Sequence, residues 1–203
     1  EHAVREEDTA DIRCVNLNCP AQLEQLIGHF VSRSAMDIKG FGVVYVHDLI
    51  EQGYLSDIAD IFTLFRYREE LIEKGVIGKE KNTDKLLASI EKAKHNPPSK
   101  LLTGLGISNV GKSAAQSLMN HFGSFDALSQ ATEEEITAVD DIGPISAACV
   151  VSYFQQERTI KLIKKLRDAG VTMEQEITVP SKDEDLPFSG QTVVITGTLS
   201  GMS

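Results

Sequence analysis

Residues 110–115 read Val-Gly-Lys-Ser-Ala-Ala, and residues 142–147 repeat the pattern as Ile-Gly-Pro-Ile-Ser-Ala. Each copy is preceded by a predicted short helix and a polar turn. It then gives an apolar residue, a glycine and, four residues after the glycine, an alanine. An apolar helical stretch follows in both cases. A shorter version, Gly-Phe-Gly, occupies residues 40–42, and a degenerate version lies near residues 76–81. This self-similarity indicates that the fold is built on a repeated helix–turn–helix unit.

The glycine in this unit permits a tight turn with positive φ and leaves no Cβ in the way of an approaching backbone. The alanine lies on the same side of the following helix, so that two helices can pack closely. The turn stands just before a helix N-terminus, where N–H groups and the helix dipole attract a phosphate oxygen. Such contacts carry no base-sequence information. The unit resembles the helix-hairpin-helix motif of non-sequence-specific DNA-binding proteins, and it predicts binding to the nucleic-acid backbone through main-chain amides.

Helical periodicity of apolar residues dominates the chain on both sides of the repeat, and glycines separate the runs. A buried strand is indicated at residues 191–196, after an acidic, proline-ended linker at residues 181–187. The sequence therefore predicts a mainly α fold, with an all-helical central domain and pieces of other domains at both ends. The predicted helices cover residues 22–35, 43–52, 57–73, 83–95, 112–122, 132–138, 144–156 and 159–168.

The 203 residues carry a net charge of −10, which argues against a polybasic clamp for nucleic acid. The average hides a stretch from Lys92 to Phe125 without any acidic residue, and binding through main-chain amides needs few lysines. Three cysteines argue against a disulfide framework and fit a reducing cytoplasm. No apolar run approaches the ~20 residues of a membrane span, and no signal-peptide pattern is present. Because the chain starts with Glu1, we expect a piece of a longer protein, and the composition fits a cytoplasmic protein without a membrane partner.

Two other interpretations of the repeat must be weighed. Residues 106–113 match the G-x-x-x-x-G-K-S pattern of nucleotide-binding loops, which requires a buried strand before the loop. The residues upstream, 97–104, begin with two prolines and contain no β-branched run, and residues 142–147 lack the lysine. The sequence therefore predicts a hairpin at this place and not a nucleotide site. The second alternative is a helical scaffold whose glycines only allow close packing, and it predicts no binding to nicked DNA.

Cysteine spacing gives a weaker signal. Cys14 and Cys19 offer two thiolates with four residues between them, whereas tetrahedral zinc takes four ligands. By themselves they are weak evidence for a metal site. Cys149 falls in an apolar helix, where packing in the core explains it.

Residues 14–22, followed by His-Phe-Val-Ser-Arg and its continuation at residues 29–42, carry a more specific resemblance. They are similar to the junction between the zinc finger and the helix-hairpin-helix domain of bacterial NAD-dependent DNA ligases. Residues 187–199 are similar to the first strand of the BRCT domain that closes those enzymes. The order of the three segments is also that of the family, and the resemblance covers essentially the whole chain.

The resemblance implies that Cys14 and Cys19 are the second pair of a four-cysteine zinc site, whose first pair would lie before Glu1. Zinc binding by this chain alone is therefore an open question. The BRCT portion is too short to bury a core, so we expect it to be disordered or packed opportunistically. The implied domains are a partial zinc finger at 1–21, a helix-hairpin-helix DNA-binding domain at 22–180, a linker at 181–187 and the start of a BRCT domain at 188–203.

The parent enzyme implied by the resemblance seals nicks in duplex DNA, with NAD and magnesium, in DNA replication and repair. In that family a lysine elsewhere takes AMP from NAD and passes it to the 5′-phosphate, and the 3′-hydroxyl then displaces AMP. No Lys-x-Asp-Gly-type motif occurs in these residues, so we expect the chain alone to be inactive. It would act as a monomer that grips nicked duplex DNA whatever the base sequence. The alternative is a non-catalytic helix-hairpin-helix module of another DNA repair or recombination protein.

The resemblance also implies which residues meet the DNA. Arg33 and Lys112 are the side chains that we expect to pair with phosphates. Val43 and Val44 depart from the family, where charged or polar residues are usual, and residues 75–84 lack a clean apolar-Gly-x-x-x-Ala pattern. Both of those hairpins should therefore bind phosphate weakly or serve the fold only. The predicted DNA-binding residues are Arg33, Gly40, Gly42, Asn109, Val110, Gly111, Lys112, Ser113, Ile142 and Gly143, and no catalytic residue is predicted.

Overall fold

The computed structural model describes residues 3–5, 12–14 and 20–175. Two short antiparallel strands, β1 (Ala3–Arg5) and β2 (Ile12–Cys14), pair near the N-terminus. The rest of the described part is dominated by helices, which confirms the predicted mainly α fold. The helices are α1 (Pro20–Val31), α2 (Val43–Glu51), a 3-10 helix (Ile58–Tyr67), α3 (Arg68–Lys74), α4 (Glu80–Ala93), α5 (Pro98–Gly104), α6 (Lys112–Phe122), α7 (Phe125–Gln130), α8 (Glu133–Thr137), α9 (Pro144–Gln155) and α10 (Glu157–Asp168).

Four pairs of consecutive helices pack against each other and form helical hairpins. Hairpin 1 is α1 with α2, hairpin 2 is α3 with α4, hairpin 3 is α5 with α6, and hairpin 4 is α8 with α9. The 3-10 helix packs on α1, α3, α4 and α10, while α7 packs on α6 and α9. The connecting helices thus hold the hairpins together, and each hairpin presents one interhelical turn.

The predicted helical runs all contain a helix, and α5 is the short helix predicted before the turn of the first repeat copy, although no bounds were predicted for it. α7 was missed. α5 has seven residues and begins with Pro98 in its first turn, and α7 has six residues. Helices of this length give too few residues for a clear 3.6-residue period. The predicted run 57–73 divides into the 3-10 helix and α3 at Tyr67 and Arg68.

One apolar core connects the hairpins. Phe30 on α1 meets Phe62 of the 3-10 helix edge to face, with ring centroids 6.0 Å apart. Gly104 at the end of α5 packs under the same ring, because a Cβ there would lie 2.7 Å from Cδ2 of Phe30. Hairpins 1 and 3 therefore meet directly through their first helices.

The last described residues close the fold. The N–H of Thr172 donates to the carbonyl of Lys94 at 2.8 Å, at the end of α4. The N–H of Gln175 donates to the carbonyl of Gly123 at 2.9 Å, between α6 and α7. These bonds join hairpins 2 and 3 through a segment that has no regular secondary structure of its own.

Residues 106–113, which carry the nucleotide-loop pattern, connect α5 to α6. A nucleotide-binding loop needs a strand before it, and here a helix precedes the loop. The hairpin prediction is therefore confirmed for this segment, and the nucleotide-loop alternative is wrong.

Several predictions fall on residues outside the described part. They concern the thiols of Cys14 and Cys19, the linker at 181–187 and the BRCT strand within 188–203. Cys149 is half-buried and packs against the core, as predicted. Within residues 20–175, no helix has the length and apolar character to cross a membrane.

Candidate nucleic-acid interface

The same turn recurs in three hairpins. In hairpin 3 the N–H of Val110 donates to the carbonyl of Ile107, and in hairpin 4 the N–H of Ile142 donates to that of Val139, both at 3.1 Å. The four side chains are buried, so in Val110 and Ile142 only main-chain atoms can face a ligand. Hairpin 1 closes its turn in the same way. The residues at the left-handed position of the turns are Gly40 (φ 84°), Asn109 (φ 61°) and Asp141 (φ 65°).

A glycine stands at the N-cap of the second helix in each of these hairpins. The φ values are −78° at Gly42, −86° at Gly111 and −87° at Gly143. The expectation that these glycines supply a positive φ is therefore wrong for Gly111 and Gly143, because a short polar residue two positions earlier adopts the left-handed conformation. Asn and Asp tolerate that conformation better than other non-glycine residues do.

Steric contact with other residues of the chain does not require glycine at these three N-caps either. A Cβ built on Gly42, Gly111 or Gly143 would have no neighbour within 4 Å among the described residues. Gly104 is the contrasting case, since its Cβ would overlap Phe30. All three N-cap glycines are exposed to solvent.

The fourth residue after each N-cap is fully buried, as the Gly-x-x-x-Ala pattern predicts for the face that packs between helices. It is an alanine in hairpins 3 and 4, and its N–H donates to the N-cap carbonyl at 2.9 and 3.0 Å. Hairpin 2 follows the same geometry with Lys79 in place of the N-cap glycine. The buried residues, each 0% exposed, are Val46, Thr83, Ala115 and Ala147.

The hairpin helices begin without a side-chain cap. Within the part of the chain that the structure describes, the N-caps of α2, α4, α6 and α9 have no side-chain hydrogen bond to the helix. The first N–H groups of a helix have no partner within the helix itself. These four helix ends therefore direct main-chain donors and the positive end of the helix dipole outward.

The turn of hairpin 3 and the start of α9 are in contact. Ser146 Oγ donates to the carbonyl of Asn109 at 3.1 Å, and Asn109 Nδ2 lies 3.6 Å from Cys149 Sγ. Asn109 was among the predicted site residues, and Ser146 lies within the predicted hairpin turn at residues 142–147. Their contact was not predicted, because it joins distant parts of the sequence. The contact brings the Asn109 turn and the first turns of α9 onto one surface.

The predicted phosphate-pairing side chains are both exposed. Lys112 is the first residue of α6 and Ser113 is the second, while Arg33 lies in the turn after α1. Among the described residues, neither cation forms an ion pair. Their positions leave both charges accessible to an anion.

In hairpin 2, ion pairs between α3 and α4 lie at the N-terminal end of α4. Arg68 donates to both carboxylate oxygens of Asp84, at 2.6 and 2.9 Å, and to Glu80 at 2.9 Å. These bonds raise the pKa of the Arg68 guanidinium further, and they lower the pKa of the Asp84 carboxyl. Because Glu80 is the first residue of α4, a carboxylate stands at this helix N-terminus.

The basic helix α10 is largely engaged within the chain. Lys165 contacts Asp57, the N-cap of the 3-10 helix, and Arg167 contacts Asp126 on α7. The bond to Asp57 raises the pKa of the Lys165 ammonium. These pairs are exposed and each contributes little to stability. They nevertheless show that Lys165 and Arg167 face other elements of this chain, whereas Lys161 pairs with Glu157 on α10 itself.

Comparison with known families places these hairpins in context. Residues 100–163, which contain hairpins 3 and 4, match the family model of the helix-hairpin-helix motif. Residues 1–21 match the model of the NAD-dependent DNA ligase C4 zinc finger domain.

Similar proteins are found along the whole chain. A DNA ligase of Brevibacillus brevis is 46% identical over 200 residues, which are 98% of this chain and 30% of that protein. A DNA ligase of Clostridium kluyveri is 45% identical over 199 residues, again 98% of this chain and 30% of the relative. The chain thus spans about 30% of the length of the relatives that it matches. The chain belongs to the family of NAD-dependent DNA ligases, as shown by the zinc finger match, the helix-hairpin-helix match and these identities.

Proposed function

We propose that this chain is the part of an NAD-dependent DNA ligase that grips nicked duplex DNA through its sugar-phosphate backbone. The exposed turns of hairpins 1, 3 and 4 would each hold a phosphate on the main-chain amides at the start of the second helix. Contacts of this kind position a protein on the duplex without reading bases. They also fit a chain with net charge −10, because the donors are amides and a few cations.

The observation that carries the proposal is that glycine occupies three helix N-caps where neither φ nor packing within the chain requires it. Gly42, Gly111 and Gly143 have φ values that any residue adopts, and the described residues leave room for a Cβ. Neither backbone conformation nor internal packing therefore accounts for glycine at these positions. A phosphate that approaches the amides closely would collide with a Cβ. Phosphate binding would therefore explain why glycine occupies these positions.

Hairpin 3 is the strongest candidate among the four. Its open helix end is followed by Lys112, so that an ammonium adds to the amide donors, and Arg33 would play a similar part near hairpin 1. In hairpin 2 the carboxylate of Glu80 occupies the helix start, which disfavours an anion. Hairpin 2 would therefore contribute to the fold more than to binding.

The chemistry of ligation would take place elsewhere in the parent protein. The chain lacks the lysine motif for adenylation, so the NAD and magnesium steps lie outside it, and alone it would be inactive. Cys14 and Cys19 supply only two of the four thiolates that a structural zinc site takes. Gripping the duplex would hold the two strand ends in line, which is how such a domain accelerates joining. We also propose that the chain is a monomer.

The proposal is tested by titrating the 203-residue chain with nicked and intact duplexes at several salt concentrations. We expect salt-dependent binding without preference for base sequence. The double variant Gly111→Ala with Gly143→Ala should bind at least about tenfold more weakly per hairpin, since hydrogen bonds to a charged group contribute about 1.5–3 kcal/mol. Lys112→Ala should reduce the salt slope by about 1.

Gly28→Ala is the matched control. Gly28 lies inside α1, and its Cβ would also have no neighbour within 4 Å in the described part. This variant should bind DNA as the parent chain does. Equal binding by the Gly111 and Gly143 variants, or binding that salt does not weaken, would refute the proposal.

A further inference from the structure

The hairpins differ in the side chains that follow the N-cap. The first two helical residues are Val43 and Val44 in hairpin 1, and Pro144 and Ile145 in hairpin 4. Val43 is 68% exposed, Val44 70% and Ile145 73%, the highest values among the large hydrophobic residues that the structure describes. The most exposed apolar side chains of the described part therefore lie at two of the open helix ends.

Hairpins 2 and 3 hold polar residues at the same two positions. They are Glu80 and Lys81 at the start of α4, and Lys112 and Ser113 at the start of α6. The fold thus tolerates polar side chains at this point of the hairpin. Isolated exposed apolar residues are ordinary on protein surfaces. Their place directly beside the amide donors is what requires an explanation.

The direction of these side chains follows from helix geometry. Every Cα–Cβ bond of an α-helix tilts toward the N-terminus. Side chains in the first turn of α2 and α9 therefore lean over the helix end where the main-chain N–H groups point. Whatever approaches those amides must also meet Val43, Val44 and Ile145.

We propose that Val43, Val44 and Ile145 rest on the deoxyribose rings next to the bound phosphates and thereby favour DNA over RNA. The inference rests on the proposed function, since the phosphate bound by the amides brings the neighbouring sugars next to these side chains. RNA carries a 2′-hydroxyl on its minor-groove side, and an apolar contact would desolvate it without a hydrogen-bond partner.

A division of labour follows from this arrangement. Hairpin 3, with Lys112, would contribute the charge-dependent part of the affinity. Hairpins 1 and 4 would contribute a part that depends on apolar contact and on the chemistry of the sugar. Salt weakens the first part and leaves the second largely unchanged.

Another occupant of this surface is conceivable for Ile145. It also borders a groove of about 830 Å³ whose lining includes Leu26 on α1 and Cys149 on α9. A different segment of the parent protein seated on Ile145 or on the two valines would leave DNA binding by this chain independent of them. The experiment below separates that possibility from the sugar contact.

The test replaces the apolar side chains with threonine in the 203-residue chain, as Val43→Thr with Val44→Thr and, separately, Ile145→Thr. Threonine keeps the β-branched shape and adds a hydroxyl, and the positions are exposed, so folding should be retained. Binding is measured with a nicked DNA duplex and with an RNA duplex of the same sequence, at several salt concentrations. We expect about three- to tenfold weaker binding to DNA, an unchanged salt slope, and a smaller loss for RNA.

Ile160→Thr is the matched control, because Ile160 is 59% exposed on α10 and belongs neither to a hairpin turn nor to the start of a hairpin's second helix. It should bind both duplexes as the parent chain does. An unchanged DNA affinity of the threonine variants, or an equal loss for DNA and RNA, would overturn the inference. If the N-cap glycine variants lose DNA affinity and the threonine variants do not, only this inference fails. If the parent chain does not bind DNA at all, the proposed function fails as well.

Discussion

In the part of the chain that the structure describes, two groups of helices begin differently: three are capped by a side chain, and three follow an N-cap glycine. The 3-10 helix and α8 begin with complete capping boxes, from Asp57 and Thr132, and α7 is capped by Ser124. The second helices of hairpins 1, 3 and 4 begin at glycine, with no side-chain cap in the described part.

A side-chain cap satisfies the same N–H groups that could hold a phosphate. Asp57, Thr132 and Ser124 cap helices that have no part in the proposed binding. Among the described residues, α3, α4, α5 and α10 also begin without a side-chain cap, so a missing cap does not by itself mark a binding site. At the three glycine turns, a capping side chain would occupy the place of an anion. Stability and binding draw on the same donors, so a change at one of these ends should affect the two properties in opposite directions.

Adding a side-chain cap to the N-termini of α6 and α9 should give the largest effect. In Gly111→Ser with Gly143→Ser, the new hydroxyls would accept from the first-turn amides, as Ser124 does in α7. We expect stability to rise by a few tenths of a kcal/mol per helix, because Ser is a better N-cap than Gly. DNA affinity should fall by about tenfold per turn as the phosphate loses its donors. Thermal unfolding measures the stability and a DNA titration measures the affinity. If both rose, or both fell, the comparison would be contradicted.

A glycine that serves packing should behave differently from one that serves binding. In Gly104→Ala the new Cβ would lie 2.7 Å from Phe30 Cδ2, and we expect a net loss of about 1–2 kcal/mol of unfolding free energy. Gly28→Ala has open space and should be neutral or slightly stabilising, because Ala favours the helix. Denaturant unfolding of the two variants checks this. A Gly104→Ala chain as stable as the parent would mean that Phe30 moves aside without cost.

Removing the side-chain cap of α8 should lower stability and leave DNA binding unchanged. Thr132 Oγ1 accepts from the N–H of Glu135 at 3.2 Å, and the Glu135 carboxylate accepts from the N–H of Thr132 at 2.8 Å. Thr132→Ala should therefore cost about 1 kcal/mol of stability. Thr137→Ala, in the same helix but without a capping role, serves as the control. Loss of DNA affinity in Thr132→Ala while the chain stays folded would argue against the division between the two kinds of helix ends.

The smallest effect concerns hairpin 2, which departs from the other three. Thr83 is fully buried at the position of Ala115 and Ala147, and its Oγ1 has no hydrogen-bond partner among the described residues. Thr83→Val keeps the shape and removes the unpaired hydroxyl, so stability should rise by about 0.5–1 kcal/mol.

Thr103→Val is the matched control for Thr83→Val. Thr103 is also buried, but its hydroxyl donates to the carbonyl of Ser99 at 2.8 Å. The control should therefore be neutral or destabilising in the same thermal unfolding experiment. A gain in stability from both substitutions would show that the hydrogen bond of Thr103 contributes nothing.

Much of the fold could be predicted from the sequence because its determinants are local. The period of the apolar residues gave the long helices, and the Gly-x-x-x-Ala spacing gave hairpins 3 and 4, with Ala115 and Ala147 fully buried as expected. For lack of periodic signal, the short helix α7 was missed and α5 was predicted without bounds. That hairpin 1 binds phosphate weakly, because of Val43 and Val44, stays a prediction, and only the structure shows how exposed these two side chains are.

The sequence by itself determined that this chain is a set of helical hairpins with glycine turns, because turn chemistry and helix periodicity act over a few residues. Only the structure showed that Asn109 and Asp141 adopt the left-handed conformation and relieve Gly111 and Gly143 of that role. Tertiary packing decided that Ser146 meets the turn at Asn109, and that Lys165 and Arg167 pair with Asp57 and Asp126. These pairings join residues far apart in the chain, and their energies depend on how the helices pack rather than on any local pattern.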